Sequence, residues 1–129
     1  MREVLVRTGE GKFQQQIVTG PHEKLADEPK ELGGDDSGPG PFEYVLAGLG
    51  ACTSMTVKMY ADRKSWPLHA VHVSLTMQKL EDGHRLHRSI QLEGDLTEEQ
   101  RTRLLEIANK CPVHKMLTGK IEIESALVG

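Results

Sequence analysis

Residues Pro41 to Lys64, PFEYVLAGLGACTSMTVKMYADRK, read as one long helix with a cysteine, Cys52, near its middle. Gly38, Pro39, Gly40 and Pro41 lead into it, and proline suits a first helical turn, where its missing N–H would lack a partner anyway. Glu43 and Lys58 are the only charges before Asp62. A helix that is small or apolar on nearly every side is expected to be buried on most of them. Glu43, Thr53, Ser54, Thr56 and Lys58 interrupt the apolar run, which argues against a membrane span. The segment therefore reads as the core helix of a soluble domain, and its cysteine is the residue to explain.

Outward from this helix, EVLVR (Glu3 to Arg7), KFQQQIV (Lys12 to Val18) and His22 to Ala26 read as short strands separated by glycine turns. Asp27 to Gly40, DEPKELGGDDSGPG, is a loop of unusual length for a plain connection. After Pro67, Leu68 to Lys79 alternates in polarity, and Glu81-Asp82-Gly83 signals a hairpin. In the returning strand, Arg85 to Gly94, Leu86, Arg88, Ile90 and Leu92 share one face. Thr97 to Gln100 forms a capping-box pattern for a second helix, with Leu104, Leu105, Ile107 and Ala108 as its buried stripe. That helix should end at Lys110 or Cys111, before Pro112. PVHKML then forms a short helical turn closed by Gly119, and KIEIESAL (Lys120 to Leu127) is expected to be a last strand. The order defines an α+β domain on mostly antiparallel sheet, and 129 residues suit one domain over residues 1–129.

A net charge of −3 with no basic block gives no reason to expect nucleic-acid binding. The N-terminus lacks the apolar core of a signal peptide, so a cytoplasmic location is expected. Cys52 and Cys111 are then more readily reactive or simply buried thiols than a structural disulfide. Cys111 stands as the N-cap-like residue of the turn at Pro112, where free N–H groups point at its sulfur and favour the thiolate. Cys52, inside a helix, gets no such help from its own backbone, and the plain reading is a small core hydrophobe. His114 follows Cys111 at Cys-x-x-His spacing, but a zinc site needs three or four ligands and the other histidines lie mainly on the hairpin. No metal is expected. Met55, Met59 and Tyr60, at helical spacing, read as core or subunit contact.

PFEYVLAGLGACTSMTVKMYADRKSWPL and LLEIANKCPVHKML, with LADEP and LGGDDSGP, resemble the OsmC/Ohr family over nearly the whole chain. The resemblance implies an OsmC-like fold, with antiparallel sheets wrapped around a long central helix, in an intertwined homodimer. It also implies a thiol-dependent peroxidase that reduces organic hydroperoxides or hydrogen peroxide. Cys52 matches the attacking position and Cys111 the resolving one, with a disulfide between them that an external dithiol reduces. No metal or organic cofactor is implied. In that family an early Arg is held by a Glu ten residues before the attacking cysteine. Here Phe42 takes that place and Glu43 follows it, one step and roughly 100° around the helix. No arginine lies between Arg7 and Arg63. Arg7, His22 and Lys24, or Arg63 or Arg88 of the partner subunit, are the candidate cations, with Glu43 and His114 as candidate supporting residues. The alternative is the same fold acting as a binding protein for a small apolar or electrophilic ligand.

Overall fold

The computed structural model describes all residues, 1–129. The chain divides into two compact units, Met1–Val45 and Leu46–Gly129.

In the first unit, strands β1 (Leu5–Thr8), β2 (Gln15–Thr19) and β3 (His22–Ala26) form an antiparallel sheet in that order. The long loop after it is pinned rather than loose. The carboxylate of Asp27, 3% exposed, accepts the N–H of Glu28 at 2.8 Å, the N–H of Ser37 at 3.1 Å and the Ser37 hydroxyl at 2.6 Å. The Asp27 N–H in turn donates to the Pro39 carbonyl at 3.1 Å. The Ser37 hydroxyl, followed by the surrounding backbone N–H groups, holds this carboxyl below the usual 3.8. Burying a charge requires such partners.

Helix α1 (Pro41–Arg63) begins in the first unit and continues into the second. In the second unit it buries only the stripe Leu49, Thr53, Val57 and Ala61, spaced by four. That corrects the expectation of burial on most sides: Met55 and Met59 are 63% and 54% exposed, so they are not core of this chain. Strands β4 (Leu68–Leu80) and β5 (Gly83–Gly94) form a long antiparallel hairpin. Its inward face carries Val71, Val73, Leu75 and Met77 opposite Leu86, Arg88, Ile90 and Leu92. A register shift between Leu68 and Ala70 turns Leu68 inward, to 3% exposure, although simple alternation puts it on the polar face. Gly50 lets α1 approach this sheet: a Cβ there would stand 2.8 Å from the Leu75 side chain.

Helix α2 (Glu98–Ala108) starts with the expected capping box, Thr97 with Gln100, and helix α3 (Pro112–Thr118) follows directly, capped by Cys111. Val57, Ala61, Leu68, Leu104 and Ala108 make the core, flanked by Tyr60, Trp66 and Leu96. Tyr60 meets Trp66 edge-on at 5.6 Å and accepts the Arg103 Nε–H at 3.1 Å. The expected strand over Lys120–Leu127 is absent. The segment pairs with no strand of this chain, and Ile123 and Leu127 are 86% and 101% exposed. An alternating pattern needs a ladder partner to become a strand.

Candidate active site

The second unit brings Cys52 and Cys111 together. Thr53 and Cys52 are successive residues of α1, so one points into the core and the other lies a step around the helix toward its edge. Cys111 is fully buried, and Cys52 is half-buried. Cys52 is near enough to Cys111 to help lower the pKa of the buried thiol.

Each sulfur receives a backbone N–H from the first turn of α3. The His114 N–H donates to Cys111 Sγ at 3.3 Å, as expected of an N-cap thiol, and the Val113 N–H donates to Cys52 Sγ at 3.5 Å. The donor to Cys52 comes not from its own helix but from a distant segment of the chain. Cys52 also lies 4.0 Å from the Thr56 hydroxyl.

Arg88 supplies the cation, from β5 of the same chain. Its guanidinium donates to Thr53 Oγ1 at 3.0 Å, to Asn109 Oδ1 at 2.8 Å and to His114 Nδ1 at 3.0 Å. Thr53 Oγ1 is 3.8 Å from Cys111 Sγ and donates to the Leu49 carbonyl at 2.7 Å. A charged residue on the otherwise apolar face Leu86–Ile90–Leu92 was the sequence signal for this role. Burial pushes the Cys111 thiol up. The His114 N–H, the Thr53 hydroxyl, Cys52 and the Arg88 charge outweigh it, and hold the thiol below its ordinary 9.0. Because Arg88 can only donate, His114 Nδ1 accepts and its ring proton sits on Nε2. Desolvation and then Arg88 lower the His114 pKa below 6.5, so the ring is neutral at pH 7.

Glu43 belongs to the first unit. Its carboxylate accepts the Gly40 N–H at 2.7 Å at the start of α1 and bonds to neither cysteine. Arg7, His22 and Lys24 belong to the first unit, and Arg63 is exposed at the end of α1. No group of three or more His, Cys, Asp or Glu is placed to hold a metal ion, and no helix is long and apolar enough to cross a membrane.

A cavity of about 380 Å³ adjoins the cluster. Leu49, Leu86, Ile90, Leu105 and Leu117 make its apolar wall, and Arg88, Asn109 and His114 its polar side. A larger one, about 620 Å³, lies within the first unit between β2, β3 and Ser37–Pro39. It has neither thiol nor imidazole in its lining, so the smaller cavity is the one with chemistry beside it.

The α+β fold thus brings two thiols to the start of one short helix. The model of the OsmC-like protein family matches residues 34–126, and the chain belongs to that family. Among curated proteins no relative matches the chain. Among solved structures it is similar to an OsmC-like protein from Mycoplasma pneumoniae (TM-score 0.79, 19% identity, covering 92% of this chain and 88% of that one). It is also similar to the organic hydroperoxide resistance protein OhrB of Bacillus subtilis (0.65, 20%, 92% and 91%). An organic hydroperoxide resistance protein from Legionella pneumophila is comparable (0.65, 19%, 91% and 90%). At these identities the likeness concerns the fold.

Proposed function

We propose that this chain is a thiol-dependent peroxidase for organic hydroperoxides or hydrogen peroxide, protecting against oxidative stress. The observation that carries the reading is a half-exposed thiol and a fully buried one held by successive amides of α3, with Arg88, which lines a mostly apolar cavity, bonded to the neighbouring Thr53 and His114. Cys52, the accessible sulfur, attacks the O–O bond and becomes a sulfenic acid. Cys111 condenses with it to a disulfide, which an external dithiol reduces. No step needs a metal or organic cofactor. The membership of the family and the hydroperoxide resistance proteins among its structural neighbours support this reading.

Free thiols suit a reducing compartment such as the cytoplasm. A homodimer is part of the proposal: Met55, Met59, Ile121, Ile123 and Leu127 leave apolar surface that a second copy would cover. The test is a count of free thiols before and after a modest excess of cumene hydroperoxide. Loss of both thiols, with an intramolecular disulfide found by peptide mapping, is the expected result. Survival of both would sink the enzyme reading. It would leave the second one, a binding protein for a small apolar or electrophilic ligand, which the 380 Å³ cavity favours.

A further inference from the structure

Arg88 is half-buried, and its three hydrogen-bond partners, Thr53 Oγ1, Asn109 Oδ1 and His114 Nδ1, are all neutral acceptors. It takes part in no salt bridge. A guanidinium carries five N–H groups, so two of them remain for something else. A half-buried cation without a carboxylate partner favours an anion beside it.

The same bonds fix what the neighbours offer. Asn109 turns its amide oxygen, and His114 its Nδ1, toward Arg88. The Asn109 NH2 group and the His114 Nε2–H are the donors left over, and neither is bonded to another group of the chain. All three residues line the cavity of about 380 Å³, opposite its wall of leucine and isoleucine, and no Asp or Glu lines it. Its volume falls in the range of about 300–1,000 Å³ that holds small molecules. Serving the thiols accounts for the bond to Thr53, but not for donors gathered at one end of an aliphatic pocket.

We propose that this cavity binds a small aliphatic carboxylate, its head on Arg88, Asn109 and His114 and its tail along Leu86, Ile90 and Leu105. One guanidinium balances the single charge of a carboxylate. A phosphate monoester carries about −1.5 to −2 at neutral pH and would bring uncompensated charge into an apolar space. The ligand is neither a peroxide nor an electrophile, so the site goes beyond both readings above. Neither cysteine lines it.

Calorimetric titration of the reduced full chain at pH 7 with octanoate, 1-octanol and acetate separates head from tail. Octanoate is expected to bind on the order of 10-fold or more tightly than either of the others. Equal binding of octanoate and 1-octanol would make the cavity a plain apolar pocket. Equal binding of octanoate and acetate would reduce the site to an arginine that attracts any anion. Either result, or no binding of octanoate, overturns the proposal. Arg88→Met should remove the preference for octanoate over 1-octanol, and a preference that survives overturns the assignment of the head group. Should that variant fold poorly, Asn109→Asp gives a second test. Its carboxylate keeps the bond to Arg88 and supplies the missing counter-ion. Octanoate affinity should then fall on the order of 10-fold or more, with 1-octanol unchanged and the melting temperature not lowered. Octanoate bound as tightly as in the wild type would overturn the proposal again. No peroxide enters these titrations. Thiols lost to cumene hydroperoxide without octanoate binding would leave the peroxidase reading and end this one; octanoate binding with intact thiols would do the reverse.

Discussion

Two polar clusters in this molecule look alike on paper. In the loop clip, Asp27 accepts two N–H groups and one hydroxyl. In the thiol cluster, Cys111 accepts one N–H, touches one hydroxyl, and lies within the field of Arg88. Both lower the pKa of an acid. They differ in what remains unspent. The clip ties its carboxylate to groups of its own loop, so it holds a shape. The thiol cluster places a half-exposed sulfur beside the buried one and a cavity beside their shared arginine. A cluster whose charge is satisfied is structural; one that keeps a reactive neighbour in reach of solvent can act.

Thiol chemistry is the way to break that contrast. Cys52→Ser has the largest expected effect: no sulfenic acid or disulfide should form, and the peroxide-driven loss of thiol should vanish. A remaining loss would mean that buried Cys111 is reached directly.

Arg88→Met comes next. Without the guanidinium, Asn109 and His114 lose a donor, at about 1–3 kcal/mol of stability. Alkylation near pH 7 should slow on the order of 10-fold as the thiolate loses its cation. A melting curve and an alkylation rate check both.

His114→Gln is smaller and shows mainly in acid. The folded pKa of this ring lies below 6.5. The unfolded chain thus takes up its proton first as pH falls. The stability that the neutral ring provides is complete above 6.5 and is lost below it. The variant should flatten the fall of melting temperature across that window, with alkylation changed only a few-fold.

Asp27→Asn sits at the small end for the thiols, with no change in their reactivity expected, although it should lower the melting temperature and speed proteolysis within residues 28–36. The carboxylate's pKa is depressed in the fold. The wild type's gain is therefore present above 3.8 and lost as pH falls through the lowered value. A thiol rate that followed this substitution would contradict the contrast drawn above.

Much of this was legible from local pattern. The long helix, the Asp-Gly hairpin and the Thr97–Gln100 capping box depend on residues close in sequence, and each appears where expected. The N-cap role of Cys111 followed from Pro112 in the same way. What failed depended on tertiary pairing. KIEIESAL alternates like a strand, yet no strand of this chain pairs with it. The Val113 N–H on Cys52 spans 61 residues, beyond the reach of any periodicity. Arg88 was readable as a charge on an apolar face, and its reach to Thr53, Asn109 and His114 was not. The Asp27 clip lay inside a loop whose unusual length was readable, but whose partners were not.

Successive amides of α3, Val113 and His114, each serve a different sulfur. A disulfide sulfur is neutral and a poorer acceptor than a thiolate. Oxidation would slacken both tethers in one event, so the beginning of this short helix becomes a gauge of redox state. Faster amide exchange at these two positions in the oxidised protein would display it.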